Sequence, residues 1–281
     1  MKIRIITALL GLLVVIPVLW FSNTVILEIF ISLISILGVY EVIRCIGQHK
    51  NLFILIPCMI FSGFYPFCVR ILSESKLGVS QIELYVIVSV SLTLWIMGFS
   101  VFSKGKLPVE AASLIFFMTM YITFGFSGIV SARNLEHGQY LYLLILIAAW
   151  IPDTGAYFVG VKFGKHKLIP DVSPKKTVEG AFGGVFTCML VFAIYTLIVN
   201  KVFDAGLNIV LMLMASVILT VVSMIGDLVA SLIKRRYKIK DYGKLLPGHG
   251  GIMDRFDSVL AVSCVFNVLF MVPYFAHSIV K

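Results

Sequence analysis

Charge is scarce in this sequence. Of its 281 residues, 13% are Asp, Glu, Lys or Arg and 60% are apolar. A soluble domain carries about 25% charged and 45–50% apolar residues, so a soluble enzyme or binding module is excluded and a polytopic membrane protein is expected. Acids are scarcer than bases, 14 against 23, leaving a net charge of +9. Cysteine is sparse as well. Cys45, Cys58, Cys68, Cys188 and Cys264 are odd in number and scattered, with no CxxC pair and no Cys/His metal spacing. That pattern excludes a disulfide framework and a zinc site and leaves them as small apolar residues. There is no low-complexity linker, no separate soluble domain and no period of 20–50 residues, which removes repeat arrays. No basic-aromatic module is present, so nucleic acid is not an expected partner. Lys2 and Arg4 precede an apolar run in the manner of a signal peptide. No small-x-small cleavage site follows and a second apolar span begins at once, so a retained first helix is expected.

What is present is a series of apolar runs, each near the roughly 20 residues that a bilayer core requires. They lie at 4–21, 24–43, 52–72, 82–102, 109–130, 139–161, 180–200, 207–233 and 257–278. The expected fold is all-α: a polytopic integral membrane protein of about nine transmembrane helices. Residues 1–130 form a first region of about five helices. Residues 131–281 form a second transmembrane region with polar loops at 162–179 and 234–256, where any catalytic site is expected. With the N-terminus on one face, that face and its loops take 18 of the 23 Lys and Arg residues, leaving Arg70, Lys76, Arg133, Lys201 and Lys281 opposite. The positive-inside rule makes the rich face cytoplasmic, with the N-terminus inside and the C-terminus outside. A cationic inner face attracts anionic headgroups and nucleotides alike.

The most charged stretch runs from Ser231 to Asp257, SLIKRRYKIKDYGKLLPGHGGIMDRFD. Lys234, Arg235, Arg236, Lys238, Lys240, Lys244 and Arg255 alternate there with Asp241, Asp254 and Asp257, around a turn from Pro247 to Gly251. Arg and Lys neutralise phosphate oxygens. Carboxylates hold Mg²⁺, which binds the same phosphates. Glycines such as Gly250 and Gly251 let backbone N–H groups approach an anion. A loop that only fixed topology would explain the lysines but not three aspartates and HGG in one stretch. The other polar loop, on the same face, contains Ser173, Lys175, Lys176, Thr177 and Glu179. Thr177 followed by Glu179 also fits a helix start.

Four acids fall within apolar runs: Glu28, Glu41, Asp153 and Asp227. Glu28 and Glu41 sit near the ends of the second span, where snorkelling to the interface suffices. Asp153 and Asp227 lie on the order of 10 Å below the cytoplasmic surface at 1.5 Å per residue. Acids at that depth are functional candidates. Two from different helices at one depth predict a shared polar cavity, with Gly155 and Gly226 allowing close helix approach and Pro152 freeing a carbonyl. A secondary transporter or ion carrier using Asp153 and Asp227 is the alternative from another class. The paired, broken halves common in transporters are not visible here. Another membrane nucleotidyl or phosphoryl transferase is a further alternative.

Ser231-x-Ile233-Lys234-Arg235, Lys240-Asp241-x-Gly243 and Leu246-Pro247-x-His249-Gly250-Gly251-Ile252-x-Asp254-Arg255-Phe256-Asp257 resemble the signature of the phosphatidate cytidylyltransferase family. Asp153-Thr154-Gly155-Ala156-Tyr157 and Ser173-Pro174-Lys175-Lys176-Thr177-x-Glu179-Gly180 are similar to that family too. The motifs cover the C-terminal half, and the N-terminal half matches only in being hydrophobic. The resemblance implies a membrane enzyme that condenses CTP with phosphatidate to give CDP-diacylglycerol and pyrophosphate. It further implies a homodimer and a need for Mg²⁺, with K⁺ also implicated. It assigns metal binding to Asp227 and Asp254. Lys234, Arg235, Asp241, His249, Arg255 and Asp257 are the further catalytic candidates. Ser173, Lys175, Lys176, Thr177, Glu179, Lys240, Gly250, Gly251 and Asp153 are the substrate-binding candidates, Asp153 as a cavity or metal-shell residue.

Overall fold

The computed structural model describes residues 2–74 and 80–271. Among them the chain is mostly helical. In order come α1 (Lys2–Trp20), α2 (Ile26–Cys45), α3 (Leu52–Glu74), α4 (Gln81–Phe102), α5 (Val109–Arg133) and α6 (Gly138–Phe163). A hairpin of β1 (Lys167–Ile169) and β2 (Ser173–Thr177) follows, then α7 (Val178–Phe203), α8 (Ile209–Arg236) and α9 (Met253–Met271). Seven of these helices, α2 to α8, are long and apolar enough to cross a membrane. The all-α polytopic expectation holds, and the expected spans fall on helices to within a few residues. Residues 272–278 of the ninth expected span, and Lys76 and Lys281 among the basic residues, lie outside the described residues. The helices fall into two compact units. One comprises residues 1–134 with 237–255, the other residues 135–236 with 256–281.

In the first unit α2, α3 and α5 pack on one another, with α4 against α5 and α3. Leu27, Ile31, Ile34 and Val42 of α2, Ile54 and Val69 of α3, and Ile115, Ile122 and Phe126 of α5 are buried between them. The approach of α2 and α3 is close because Gly63 faces Ile36, where a Cβ would stand 2.7 Å from the Ile36 Cδ1. Ser32 Oγ donates to the Gly63 carbonyl at 2.6 Å. Pro57 and Pro66 both lie inside α3, which continues through them. Neither acid of α2 snorkels. Glu28 is 2% exposed and Glu41 4%. Each is held by a partner inside the protein, which removes the reason to reach for water. For Glu28 that partner is Arg70 of α3, whose Nη1 donates to Oε2 at 3.1 Å.

In the second unit α6, α7 and α8 pack on one another and β2 lies against α6 and α7. Small residues set the α6–α7 distance: a Cβ on Gly184 would stand 2.8 Å from the Pro152 carbonyl oxygen. Gly226 does the same for α8, where a Cβ would meet Ala261 at 2.7 Å and the Asp257 carbonyl oxygen at 3.0 Å. Ser223 Oγ donates to the Ala149 carbonyl, and Ser258 Oγ to the Ser223 carbonyl. The polar stretch 162–179 is a hairpin rather than an open loop. Pro170 and Asp171 turn the chain between Ile169 and Val172, as suits a proline at the second position of a β-turn. Ile169 then pairs with Ser173 and Lys167 with Thr177.

Candidate active site

The first unit contains the loop from Tyr237 to Arg255, which carries most of the charged motif. Leu246 and Gly250 pair across the Pro247–Gly250 turn. Gly248 and Gly250 have φ of +75° and +90°, a region that favours glycine. The turn uses its own backbone donors. His249 N and Gly250 N both donate to the Leu246 carbonyl, at 2.8 and 3.1 Å, and Gly251 N donates to Asp254 Oδ2 at 2.9 Å. The Gly250 and Gly251 N–H groups, candidates for an anion, have partners within the loop itself. What lines the adjoining cavity of about 570 Å³ is side chain: Lys240, Asp241, Lys244, His249 and Arg255 among others. His249 Nδ1 is buried and has no hydrogen-bond partner among the described residues. Arg255 Nε is held by the His249 carbonyl at 2.7 Å. Asp254 Oδ2 also accepts from Tyr242 N at 2.7 Å. One carboxylate oxygen thus ties the two ends of the loop together.

The second unit contains a cavity of about 550 Å³ lined by Asp153, Ser173, Lys175, Lys176, Thr177 and Asp227, with Tyr157, Gly160 and Met224 among its walls. Asp153 and Asp227 share one cavity, as expected. Lys176 Nζ lies 2.7 Å from Asp227 Oδ2, and its charge also reaches Asp153. Thr177 caps α7, its side chain accepting from Gly180 N at 3.1 Å, as the sequence predicts. Glu179 turns back to the hairpin, accepting from Lys165 N and His166 N and lying 2.6 Å from His166 Nδ1. Asp257 is buried, with Oδ1 accepting from Ser258 N at 2.8 Å. Asp227, Lys234 and Asp153 all act on it electrostatically. Arg235 is exposed at the end of α8.

No group of three or more His, Cys, Asp or Glu side chains forms a metal cage among the described residues. Mg²⁺ seldom uses one. It takes one or two carboxylates and completes its shell with water and substrate phosphates. Asp153 and Asp227 in one cavity beside a lysine, and Asp254 in a loop of cations, are donor sets of that kind. The residues that composition and spacing missed are Glu41 and Arg44. Glu41 Oε1 accepts from Ile252 N at 3.1 Å and Oε2 from Met253 N at 3.0 Å. Arg44 Nη2 donates to the Tyr242 carbonyl at 2.7 Å. The signals available were an acid within an apolar run and the spacing of Glu41 and Arg44 on one helical face.

The model of the cytidylyltransferase family matches residues 2–272. A phosphatidate cytidylyltransferase of Staphylococcus haemolyticus is 34% identical over 270 residues, covering 96% of this chain and 98% of the relative. Proteins of the same name from Staphylococcus epidermidis and Staphylococcus aureus are 34% and 32% identical over 269 residues, with the same coverage. The similarity thus extends through the N-terminal helices as well as the charged motifs.

Proposed function

The chain belongs to the cytidylyltransferase family, and on that premise we propose that it condenses CTP with phosphatidate, releasing pyrophosphate and CDP-diacylglycerol. The observation that carries the reading is the lining of the two cavities. One is walled by Lys240, Lys244, His249 and Arg255, the other by Asp153, Asp227 and the lysines of the hairpin. Cations of this density suit a triphosphate and a phosphomonoester, both anionic. A phosphate oxygen of phosphatidate attacks the α-phosphorus of CTP. The new oxygen–phosphorus bond forms as the bond to the β-phosphate bridge breaks, and the electron pair leaves with pyrophosphate. The nucleophile is already ionised near pH 7, so no general base is assigned. The work is charge neutralisation and alignment.

Lys234, Arg235, Lys240 and Arg255 neutralise phosphate oxygens, and His249 Nδ1 hydrogen-bonds one of them. Ser173, Lys175, Lys176 and Thr177 bind CTP or the lipid headgroup. Asp254 in the first unit, and Asp227 with Asp153 beside it in the second, are the residues that would hold Mg²⁺, which when bound supplies positive charge to the triphosphate; K⁺ is a second cation. The reading extends to nine spans with the N-terminus and active site cytoplasmic, and to a homodimer. The test is an assay of purified protein in detergent with phosphatidate, α-labelled CTP and Mg²⁺, with and without EDTA. Metal-dependent transfer of label to lipid with release of pyrophosphate is expected. Folded protein that leaves the lipid unlabelled would overturn the reading, and nucleotide-independent uptake in liposomes would favour a transporter.

A further inference from the structure

A carboxylate buried in an apolar helix must find hydrogen bonds or a counter-charge. Glu28 solves this with Arg70. Glu41, on the same helix, solves it with backbone: its two oxygens accept from Ile252 N and Met253 N. Those N–H groups open α9 and have no partner within the helix, so α2 supplies a cap for them. Gly243 and Gly251 lie flat against the same carboxylate, and a Cβ on either would collide with it. One helical turn further, Arg44 holds the Tyr242 carbonyl. Tyr242 N and Gly251 N converge on Asp254. Both ends of the loop are therefore tied to each other by Asp254 and to α2 by Glu41 and Arg44.

We propose that Glu41 and Arg44 are positioning residues for nucleotidyl transfer: from α2 they clamp the loop that presents Lys240, Asp241, His249, Asp254 and Arg255. Neither touches the reacting atoms. A turn with two glycines at positive φ has many alternative conformations, and a misplacement of about 1 Å costs on the order of 10²-fold in rate. An external clamp narrows that freedom. A carboxylate is suited to the task because it offers two acceptors to two adjacent donors. A glutamine offers one acceptor and sets an amide donor against an N–H. The inference rests on the proposed transfer reaction.

The test uses the full-length protein in detergent, with Glu41→Gln, Glu41→Asp and Arg44→Gln compared with Glu28→Gln, an equally buried acid of α2 remote from the loop. Glu41→Gln is expected to remain monodisperse, to lose about 30- to 100-fold in kcat, and to keep its KM for phosphatidate within about threefold. Glu41→Asp is expected to recover part of the rate. Amide exchange at Gly251 to Met253 is expected to accelerate in Glu41→Gln and not in Glu28→Gln, which loses thermal stability while kcat stays within about twofold. A Glu41→Gln kcat within about threefold of the parent, or a kcat that falls equally in Glu28→Gln, overturns the proposal. Should Glu41→Gln not fold, Arg44→Gln decides. A folded protein with a tenfold or greater loss in kcat supports the clamp, whereas normal turnover or a second failure to fold overturns it. An inactive parent protein would remove the transfer reading instead, and the exchange measurement, which needs no substrate, would still report whether Glu41 holds the turn.

Discussion

Asp254 and Asp227 have similar tasks in the proposed reaction and are held by opposite means. Asp254 is fixed by main chain, with Oδ2 accepting from Tyr242 N and Gly251 N inside a loop clamped by α2. Asp227 is fixed by a side chain, the Lys176 ammonium at 2.7 Å. A backbone N–H cannot leave its place without unfolding the turn. A lysine on a flexible stem can exchange one anion for another. The first unit thus holds its acid by backbone and the second by a side chain, which in the proposed reaction turns to phosphate when substrate arrives.

The largest effects are expected where that comparison begins. Asp227→Asn and Asp254→Asn should each lower kcat by about 10³-fold or more, since each neutralises a proposed Mg²⁺ ligand, while both proteins still accumulate in the membrane. They should differ in amide exchange. Asp254→Asn should speed exchange at Tyr242 and Gly251, and Asp227→Asn should leave both unchanged. Near-normal activity in the pair would end the metal assignment, and equal exchange would end the contrast between rigid and exchangeable acids. Next in size is Lys176→Met. It removes a charge-assisted contact of about 1.5–3 kcal/mol and should cut kcat/KM for CTP by about 10- to 100-fold, with Lys176→Arg recovering part. An unchanged KM for CTP would show that Lys176 serves only to neutralise Asp227.

Much of this was legible in sequence, and the exceptions share a cause. The helices follow from apolar runs of spanning length, and Asp153 and Asp227 could be placed in one cavity because depth along a helix converts directly into distance. Thr177 was readable as a cap from its own side-chain chemistry. Glu41 was not, because a buried acid and a snorkelling acid look alike in sequence, and its partners, Ile252 and Met253, stand more than two hundred residues away. The partners of the turn's N–H groups were hidden for a related reason. The spacing of the glycines is that of an anion nest, and only the fold shows that His249 N, Gly250 N and Gly251 N are already engaged. Backbone hydrogen-bond partners in an irregular loop depend on tertiary contacts and leave no periodic trace.

Two glycine substitutions sharpen the contrast between the units. A Cβ on Gly251 would run into the Glu41 carboxylate. Gly251→Ala should therefore displace the Asp254 loop and lower kcat by about tenfold, alongside a loss of about 1–3 kcal/mol from overpacking. A Cβ on Gly184 would stand 2.8 Å from the Pro152 carbonyl oxygen and 3.1 Å from the Met224 Cε. Gly184→Ala should force α6 and α7 apart and lower the melting temperature by a similar free energy. Its rate loss should be smaller, because the Lys176–Asp227 pair can follow a shifted helix. Thermal melts and initial rates on the two proteins check both. A Gly184→Ala kcat lower than that of Gly251→Ala would reverse which unit is the less tolerant.

The smallest effect concerns the hairpin that carries Lys176. Glu179 accepts from Lys165 N and His166 N, and the His166 ring stands 2.6 Å away. That ring is 78% exposed, and an exposed ion pair adds little once water and salt compete for it. His166→Ala leaves both backbone bonds in place, so KM for CTP should change by less than about twofold. Glu179→Gln keeps a single acceptor for two N–H groups and should raise KM for CTP by about threefold as the hairpin loosens. KM for CTP measured on both proteins at neutral pH separates the two contributions. If His166→Ala matched Glu179→Gln, the hold of Glu179 on the start of the hairpin would rest on the ring pair rather than on the two N–H groups.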